Sequence, residues 1–408
     1  MKRIALMSLV ASSVLMAGGY KIPENSLNGV ALSAANIAHN KSADAAYYNP
    51  ANMVFMTNEN HMEADFTYIG LSAINFKGSA TDSTGAVTTA PNEDSESESF
   101  LVPSLHYVSG DISGARFGVS VVVPGGLSKR WENNVGTKSA EEFTLETVEI
   151  NPTVALPIGD KIGVAIGFRL VHSSGVVKAT PAAGVVSQDM TADSIDFGYN
   201  LALAYKPTSE IELGITYRSQ IDLTEEGDAD LVYSPASLDG TYDGRLTVPL
   251  PATLSLAAAY TLPSKTTIEF VYERNYWSAW ENINFDFNNP TAEAVFGKAK
   301  PKNWNDTNAF RLGVTQELDK MTLMAGLVID ETPVPDETIG FELPDSDSIS
   351  VSFGGRYQIN EKMDIGIAAL YSMREDRSVD NNDNPSTLTG EFTNADALLI
   401  SMGMGYKF

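Results

Sequence analysis

In the stretch Ala397-Leu398-Leu399-Ile400-Ser401-Met402-Gly403-Met404-Gly405-Tyr406-Lys407-Phe408, large apolar side chains fall on every second position. Leu398, Ile400, Met402, Met404, Tyr406 and Phe408 share one parity, and Ala397, Leu399, Ser401, Gly403, Gly405 and Lys407 take the other. Strand side chains point alternately to opposite faces, whereas a helix groups its apolar residues at spacings of three and four. The stretch therefore predicts a strand with one greasy face and one small or polar face. Working back along the chain, the pattern recurs. Ile162, Val164, Ile166, Phe168 and Leu170 alternate with Lys161, Gly163, Ala165, Gly167 and Arg169, and Ile195 to Lys206, Ile211 to Arg218 and Phe310 to Thr315 repeat it.

A soluble sandwich also alternates, so the period leaves two classes open. The runs reach ten to twelve residues, which suits a tilted membrane-crossing strand of about 9–11 residues better than a soluble strand of about 5–6. Tyr205, Tyr217, Tyr260, Tyr357, Tyr371 and Tyr406 sit near strand ends, where a membrane barrel carries its aromatic girdles. A strand closing on Phe408 resembles the insertion signal of bacterial outer-membrane barrels, which implies a barrel-assembly machinery as partner. The expected fold is all-β, a transmembrane antiparallel β-barrel. Parity places strands over 60–76, 97–109, 113–123, 143–157, 160–176, 192–206, 209–222, 244–260, 265–287, 304–318, 321–330, 346–359, 362–375 and 394–408. These number fourteen, and an even count is what closure with both termini on the periplasmic side requires. Gly159-Asp160, Pro207-Thr208 and Asn360-Glu361 read as tight turns. The polar stretches Ala80–Ser99, Glu225–Gly244, Asn288–Asn303 and Arg374–Glu391 read as long extracellular loops.

Composition removes other classes. The chain has 408 residues, 27 Lys plus Arg against 52 Asp plus Glu, a net charge of −25 and no cysteine. A nucleic-acid binder needs clustered cations, and disulfides, thiolate metal sites and cysteine nucleophiles are impossible. Lys2 and Arg3 precede an apolar run from Ile4 to Met16 and then the small residues Ala17, Gly18 and Gly19. That order predicts a secretory signal peptide over 1–17, cleaved after Ala17. Beyond it no window approaches the ~18 apolar residues of a helical span. An exported barrel of this kind belongs in the bacterial outer membrane, among its lipid and lipopolysaccharide.

Residues 18–58 do not alternate. They are rich in Ala, Asn and Ser, as in Ser33-Ala34-Ala35-Asn36, Ala43-Asp44-Ala45-Ala46 and Asn49-Pro50-Ala51. Small side chains with turn formers either trail into the periplasm or pack inside a polar lumen as a hatch that plugs it, with the barrel proper over 59–408. Gly18-Gly19-Tyr20-Lys21-Ile22-Pro23-Glu24-Asn25-Ser26 followed by Asn49, Pro50 and Ala51 resembles the mature start and hatch motif of the FadL-type family, outer-membrane transporters of long-chain fatty acids and aromatic hydrocarbons. Pro124-Gly125-Gly126-Leu127 with Trp131, Glu149 to Thr153, Trp277-Ser278-Ala279-Trp280, Asp330 to Pro335 and Leu343-Pro344-Asp345 with Gly354-Gly355 are similar to further family blocks. The resemblance covers nearly the whole chain. It implies a monomer of fourteen strands that passively takes up a hydrophobic ligand. Capture falls in a loop groove, transfer leads to a luminal pocket at the hatch, and exit is sideways at a kinked third strand. After the fifth strand, where the family pattern places a ligand-binding arginine, this chain reads Val171-His172-Ser173-Ser174-Gly175. An uncharged hydrocarbon would not need one.

Several residues carry two readings. Gly114 and Gly118 on the third strand are candidates for the lateral-gate kink, or for tight packing against the hatch. Arg116, Arg169, Arg218, Arg311 and Arg356 have inward parity. Arg116, Arg169 and Arg218 are candidates for a ligand carboxylate, or they neutralise inward carboxylates such as Glu212, Asp196 and Glu269, or fix the hatch. Leu127, Trp131 and Phe143 are candidates for the groove, with Phe296 beside them. Phe285 and Phe287 read as interfacial anchors. His39, His61, His106 and His172 are the only histidines, only His106 points inward within a strand, and no nucleophile motif flanks it, so no catalysis is expected. Asp380-Asn381-Asn382-Asp383-Asn384 lacks the glycine and terminal glutamate of a calcium loop and reads as solvated. No metal or cofactor is expected. The alternative function is a porin-like diffusion channel for small polar solutes.

Overall fold

A computed structural model describes residues 18–81, 87–132, 135–380 and 388–408. The expected signal peptide over 1–17 and the Asn381–Asn384 part of the acidic cluster lie outside these residues. The chain passes fourteen times along one closed sheet. The strands are β1 (His61–Leu71), β2 (Glu98–Val108), β3 (Arg116–Val122, resuming over Leu127–Arg130), β4 (Glu142–Ile158), β5 (Ile162–Ala182), β6 (Val186–Tyr205) and β7 (Ile211–Arg218, resuming over Ile221–Tyr233). They continue as β8 (Leu238–Leu250 and Ala252–Thr261), β9 (Thr266–Tyr276), β10 (Thr307–Glu317), β11 (Met321–Asp330), β12 (Ser348–Gln358), β13 (Met363–Arg374) and β14 (Ala397–Lys407). Closure is direct. β1 pairs antiparallel with β14, from His61 opposite Lys407 to Leu71 opposite Ala397, and with β2 on its other side. Every expected strand is found, and closure removes the two free edges an open sheet would have.

The alternation has the predicted sense. Phe66, Phe197, Phe353 and Met402 are 55%, 58%, 69% and 59% exposed, while Asp65, Thr67 and Ser401 between such neighbours are buried. A band of exposed aromatic and aliphatic side chains around a polar interior is stable only with hydrocarbon against it.

The structure departs from expectation in the long connections. Glu225–Gly244 is not a loop, because β7 and β8 continue past the barrel as a hairpin, Glu226 opposite Arg245 and Tyr233 opposite Leu238. Ala80–Ser99 and Arg374–Glu391 supply strands to a separate four-stranded sheet of Asn75–Thr81, Val87–Asp94, Leu388–Thr393 and Arg377–Val379. The ninth strand stops at Tyr276, where Trp277–Ala279 turns as a 3-10 helix and buries its indole.

Residues 18–56 lie against the inward faces of the strands. Leu27–Ala31 is a short α-helix capped by Ser26, whose Oγ accepts from the Gly29 N–H at 2.9 Å. Ala45–Tyr48 forms a second, and Pro50–Phe55 a 3-10 helix. Their centre is Asp44, whose carboxylate accepts from Ser26 at 2.7 Å and from Asn28 and Asn36 at 3.3 Å each. A segment this poor in large apolar side chains cannot form a core of its own, so it is held by hydrogen bonds to the wall.

Candidate functional site

Three features meet in the lumen: the buried N-terminal segment, an interruption in β3, and a cavity among the long connections. The Asn49-Pro50-Ala51 motif anchors the first. Asn49 Oδ1 accepts from the Ala51 N–H at 3.1 Å, Pro50 takes the first helical position where a missing N–H costs nothing, and Asn49 Nδ2 donates to Ile37 and Leu203 carbonyls at 2.9 and 3.3 Å. Ala51 sits so close to β5 that a Cβ on Gly163 would lie 2.2 Å from its carbonyl oxygen. Glu269 of β9 accepts three backbone N–H groups, from Ile37 and Ala38 at 2.7 Å and His39 at 3.0 Å. Glu212 holds the next link, accepting from Lys206 and bonding His39 Nδ1, both at 2.6 Å.

All five inward arginines are engaged by the protein. Arg116 donates to the carbonyls of Met56, at 3.1 Å, and Thr57. Arg169 and Arg218 share the Glu149 carboxylate, Arg169 at 2.9 Å, and the Arg218 guanidinium lies 4.4 Å over the Tyr47 ring. Arg311 donates to the Ser33 carbonyl at 2.9 Å and to Glu273 at 3.2 Å. Arg356 reaches Asn28 at 2.7 Å, Asp364 at 2.8 Å and Glu63. The expected carboxylate partners Glu212, Asp196 and Glu269 are replaced by Glu149, Glu273, Glu63 and Asp364. Glu212 and Glu269 are taken by the N-terminal segment, and Asp196 by Ser194 and the Thr224 N–H.

The interruption in β3 falls beyond both glycines named for a kink. Gly114 is in the exposed turn before the strand, with φ +86°. Gly118 is inside the paired strand, where a Cβ would meet Met53 Sδ at 2.7 Å and Ala46 Cβ at 2.9 Å, so it serves tight packing. The strand pairs with β4 from Arg116 opposite Ala155 to Val122 opposite Glu149, and again from Leu127 opposite Leu145. Between them the four residues 123–126 oppose the three residues 146–148, a one-residue excess that throws the chain out of the sheet. On its other edge β3 meets β2 only from Val108 opposite Gly118 to Leu105 opposite Val121. Above Leu105, among the described residues, the β2–β3 ladder has a gap that ends where the Glu96 N–H donates to the Arg130 carbonyl at 2.9 Å and Arg130 donates to Glu98 at 2.6 Å. The displaced backbone turns to the N-terminal segment instead: Ile22 N–H donates to Pro124 O at 3.0 Å, Gly126 N–H to Tyr20 O at 2.7 Å and Val123 N–H to Asn25 Oδ1 at 3.1 Å. His106, flanking the gap, bonds Ser120 Oγ at 2.9 Å and the Asn25 carbonyl at 3.0 Å. Its role here is to tie the wall to the segment.

The long-connection end carries a cavity of about 590 Å³, of the size that takes small organic ligands. Phe143, Val177, Ile283, Phe285, Ile339 and Phe341 supply apolar lining. Phe143 is among the lining residues, and Phe285 lines the cavity instead of anchoring at the membrane surface; Phe285 and Phe287 are 2% and 8% exposed. Trp131 stands behind the wall, its Nε1 donating to the Phe341 carbonyl at 2.9 Å and its ring edge-on to Phe341 at 4.9 Å. Leu127 is buried in the same apolar core, and Phe296 packs against it half-buried. Lys138, Lys300 and Lys302 line the cavity; Lys138 donates to Thr88 at 2.8 Å, Lys302 pairs with Glu342, and Lys300 Nζ stands 5.9 Å from the Phe285 ring centre. Beneath it Tyr20 joins Trp277, Trp280 and Trp304 in an edge-to-face cluster, with centroids 4.4–5.8 Å apart.

Sequence reading missed Phe341 and Lys300, took Glu269 only as a partner for an inward arginine, and gave Asn25 no role beyond its place in the N-terminal motif. Asn25 and Glu269 act through backbone groups distant in sequence, and no spacing signals that. The interruption at 123–126 did have a signal in Pro124-Gly125-Gly126.

A closed fourteen-stranded barrel with an apolar belt, an internal N-terminal segment and a broken wall strand defines an outer-membrane transport barrel. The family profile described as outer membrane protein transport protein (OMPP1/FadL/TodX) matches residues 8–408, and the chain belongs to that family. The long-chain fatty acid transport protein of Escherichia coli O6:H1 is 22% identical over 310 residues, covering 66% of this chain and 69% of the relative. Among solved structures, a Pseudomonas aeruginosa FadL homologue superposes with a TM-score of 0.84 at 19% identity, covering 96% of this chain and all of that one. The Pseudomonas putida toluene transporter TodX gives 0.72 at 17% identity, covering 96% and 100%. The protein is an outer-membrane β-barrel of a transport family.

Proposed function

We propose that the protein carries hydrophobic small molecules passively through the outer membrane. After removal of residues 1–17, residues 18–58 act as a hatch that closes the lumen of the barrel, 59–408. Ligand is captured among the extracellular loops in the groove of Leu127, Trp131 and Phe143, passes to a pocket against the hatch, and leaves sideways through the gap between β2 and β3. The observation that carries this reading is the one-residue excess at 123–126, which opens the wall where the lumen is sealed. An apolar solute gains about 0.8 kcal/mol per buried CH₂, so a route from loop cavity to membrane never surrenders it to water, and no energy source is needed. The names of the relatives support long-chain fatty acids or toluene-like hydrocarbons as the ligand class. The luminal arginines are occupied by protein carboxylates and carbonyls, so a fatty-acid head group would be met at the cavity by Lys300 rather than by Arg116, Arg169 or Arg218. We read the barrel as a monomer, since its strands close without a second chain. Phe408, exposed and stacked on Tyr406 at 5.7 Å, stands at the rim for the assembly machinery.

Deleting Gly125 equalises the residue count and lets β3 run straight beside β4. The expected result is a folded barrel with ligand uptake abolished. Undiminished uptake by that variant would remove lateral exit.

A further inference from the structure

In the charged cluster around Gly18 one buried carboxylate has no cation bonded to it. Lys21 and Arg311 share Glu273 at 2.7 and 3.2 Å, Arg311 reaches Glu24 at 3.5 Å, and Arg374 holds Asp345 at 2.9 Å. Against these three cations stand those three carboxylates and a fourth, Asp330, which interacts through space with Lys21, Arg311, Glu273 and Asp345. Among the described residues no side chain bonds the Asp330 carboxylate, and its Oδ1 is buried without a partner. A lone buried carboxylate is strongly unfavourable. Around it burial pushes Glu24 up to about 7 in spite of Arg311, and raises Asp345 in spite of Arg374.

What stands against Asp330 is backbone. Gly18 has φ +84°, and a Cβ on it would lie 2.8 Å from Asp330 Oδ2 and 3.1 Å from Oδ1. Its nitrogen hangs on the same Cα. Next to it, Gly19 N–H donates to Asp345 Oδ2 at 3.1 Å, and Gly19 is wedged against Trp277 and Trp304.

We infer that signal-peptide removal after Ala17 supplies the missing charge: the new α-ammonium of Gly18 forms a buried ion pair with the Asp330 carboxylate and locks the start of the hatch in place. Water adds across the Ala17–Gly18 peptide bond, the C–N bond breaks, and oxygen stays with Ala17 as its carboxylate. The nitrogen gains protons and becomes an ammonium with three N–H donors, where the amide offered one and no charge. Each of the four carboxylates then has a cation beside it. An uncleaved or extended chain leaves Asp330 unpaired, so closure of the hatch is coupled to maturation. This inference rests on the cleavage and hatch readings above, not on transport.

The test uses full-length protein purified from the outer membrane and labelled with [13Cα]glycine. Intact mass gives the first residue, expected to be Gly18, and the Gly18 Cα resonance is followed with pH in detergent micelles. An ordinary α-amine titrates at about 7.7–8.0. The expected midpoint is at least tenfold more proton-binding, above about 9, and Asp330→Asn returns it to about 8 or below. A second variant carries one extra glycine ahead of Gly18, itself labelled, and leaves every strand residue intact. It moves the amine out of the cluster, and its terminal amine is expected to titrate near 8. A different first residue, an ordinary midpoint in the native chain, or a raised midpoint that survives either variant overturns the proposal. Uptake is not read, so failure of the transport reading does not imitate any of these results.

Discussion

The two ends of the lumen differ in how much aromatic contact joins the polar pairs. Towards the short turns the wall and hatch meet through carboxylates, arginines and amides: Glu149 between Arg169 and Arg218, Glu269 under three N–H groups, Arg356 on Asn28 and Asp364. Towards the loops rings join the charged cluster around Gly18, with Tyr20 among three tryptophans and Phe341 on Trp131, and an apolar-lined cavity stands among the long connections. Polar contacts have direction and fix one geometry, so they suit a plug. Apolar contacts are non-directional and accept an apolar guest in place of a host side chain. The broken β3 lies where the two regimes join, which is where, on the proposed route, a greasy solute would run out of apolar lumen.

If the polar end is a seal, removing residues 18–40 should have the largest effect: small-sugar influx into expressing cells rises about a hundred-fold or more, as a plugged barrel becomes porin-like. A native chain that already admits sugar would make the seal fictitious. Next comes Glu149→Gln, which strands two guanidinium groups in a buried site at a cost of about 3–5 kcal/mol. The expected outcome is a hatch open to protease and a leak of polar solutes, with ligand capture at the loops unchanged. Trp131→Ala acts at the other end. It removes the support of Phe341 and costs about 3–5 kcal/mol locally, so uptake should fall roughly ten-fold with no leak. A leak there instead would merge the two regimes.

The smallest effect is one of pH. Burial lifts the Glu24 carboxyl from its usual 4.5 to about 7. The folded hatch then binds that proton more tightly than the free segment does, so this contribution to docking is greatest below pH 4.5 and lost progressively between 4.5 and 7. Conductance in planar bilayers should therefore be higher at pH 8 than at pH 5, and Glu24→Gln should flatten the difference. An identical difference in the variant would assign it to other groups.

The barrel was legible because alternation is a local property, repeated in every strand from Phe66 to Met402. The fourteen expected strands are all present. The extended β7–β8 hairpin was hidden because Asp228, Asp230 and Asp239 make it look like a solvated loop, although backbone pairing is indifferent to that charge. Inward arginines could be counted from parity, but their partners could not. Arg218 and Glu149 are 69 residues apart, and which carboxylate faces which guanidinium depends on strand stagger. Gly118 illustrates the same limit: it looked equally fit to bend or to pack, and Met53 and Ala46 decide for packing.

The account stands most directly on uptake of labelled oleate and labelled toluene, measured beside influx of a small sugar, in cells that lack their own transporter and express this chain. It predicts entry of oleate or toluene without sugar. Sugar influx with neither hydrophobic compound taken up would contradict it, leaving a barrel whose polar end does not seal and whose apolar end does not carry.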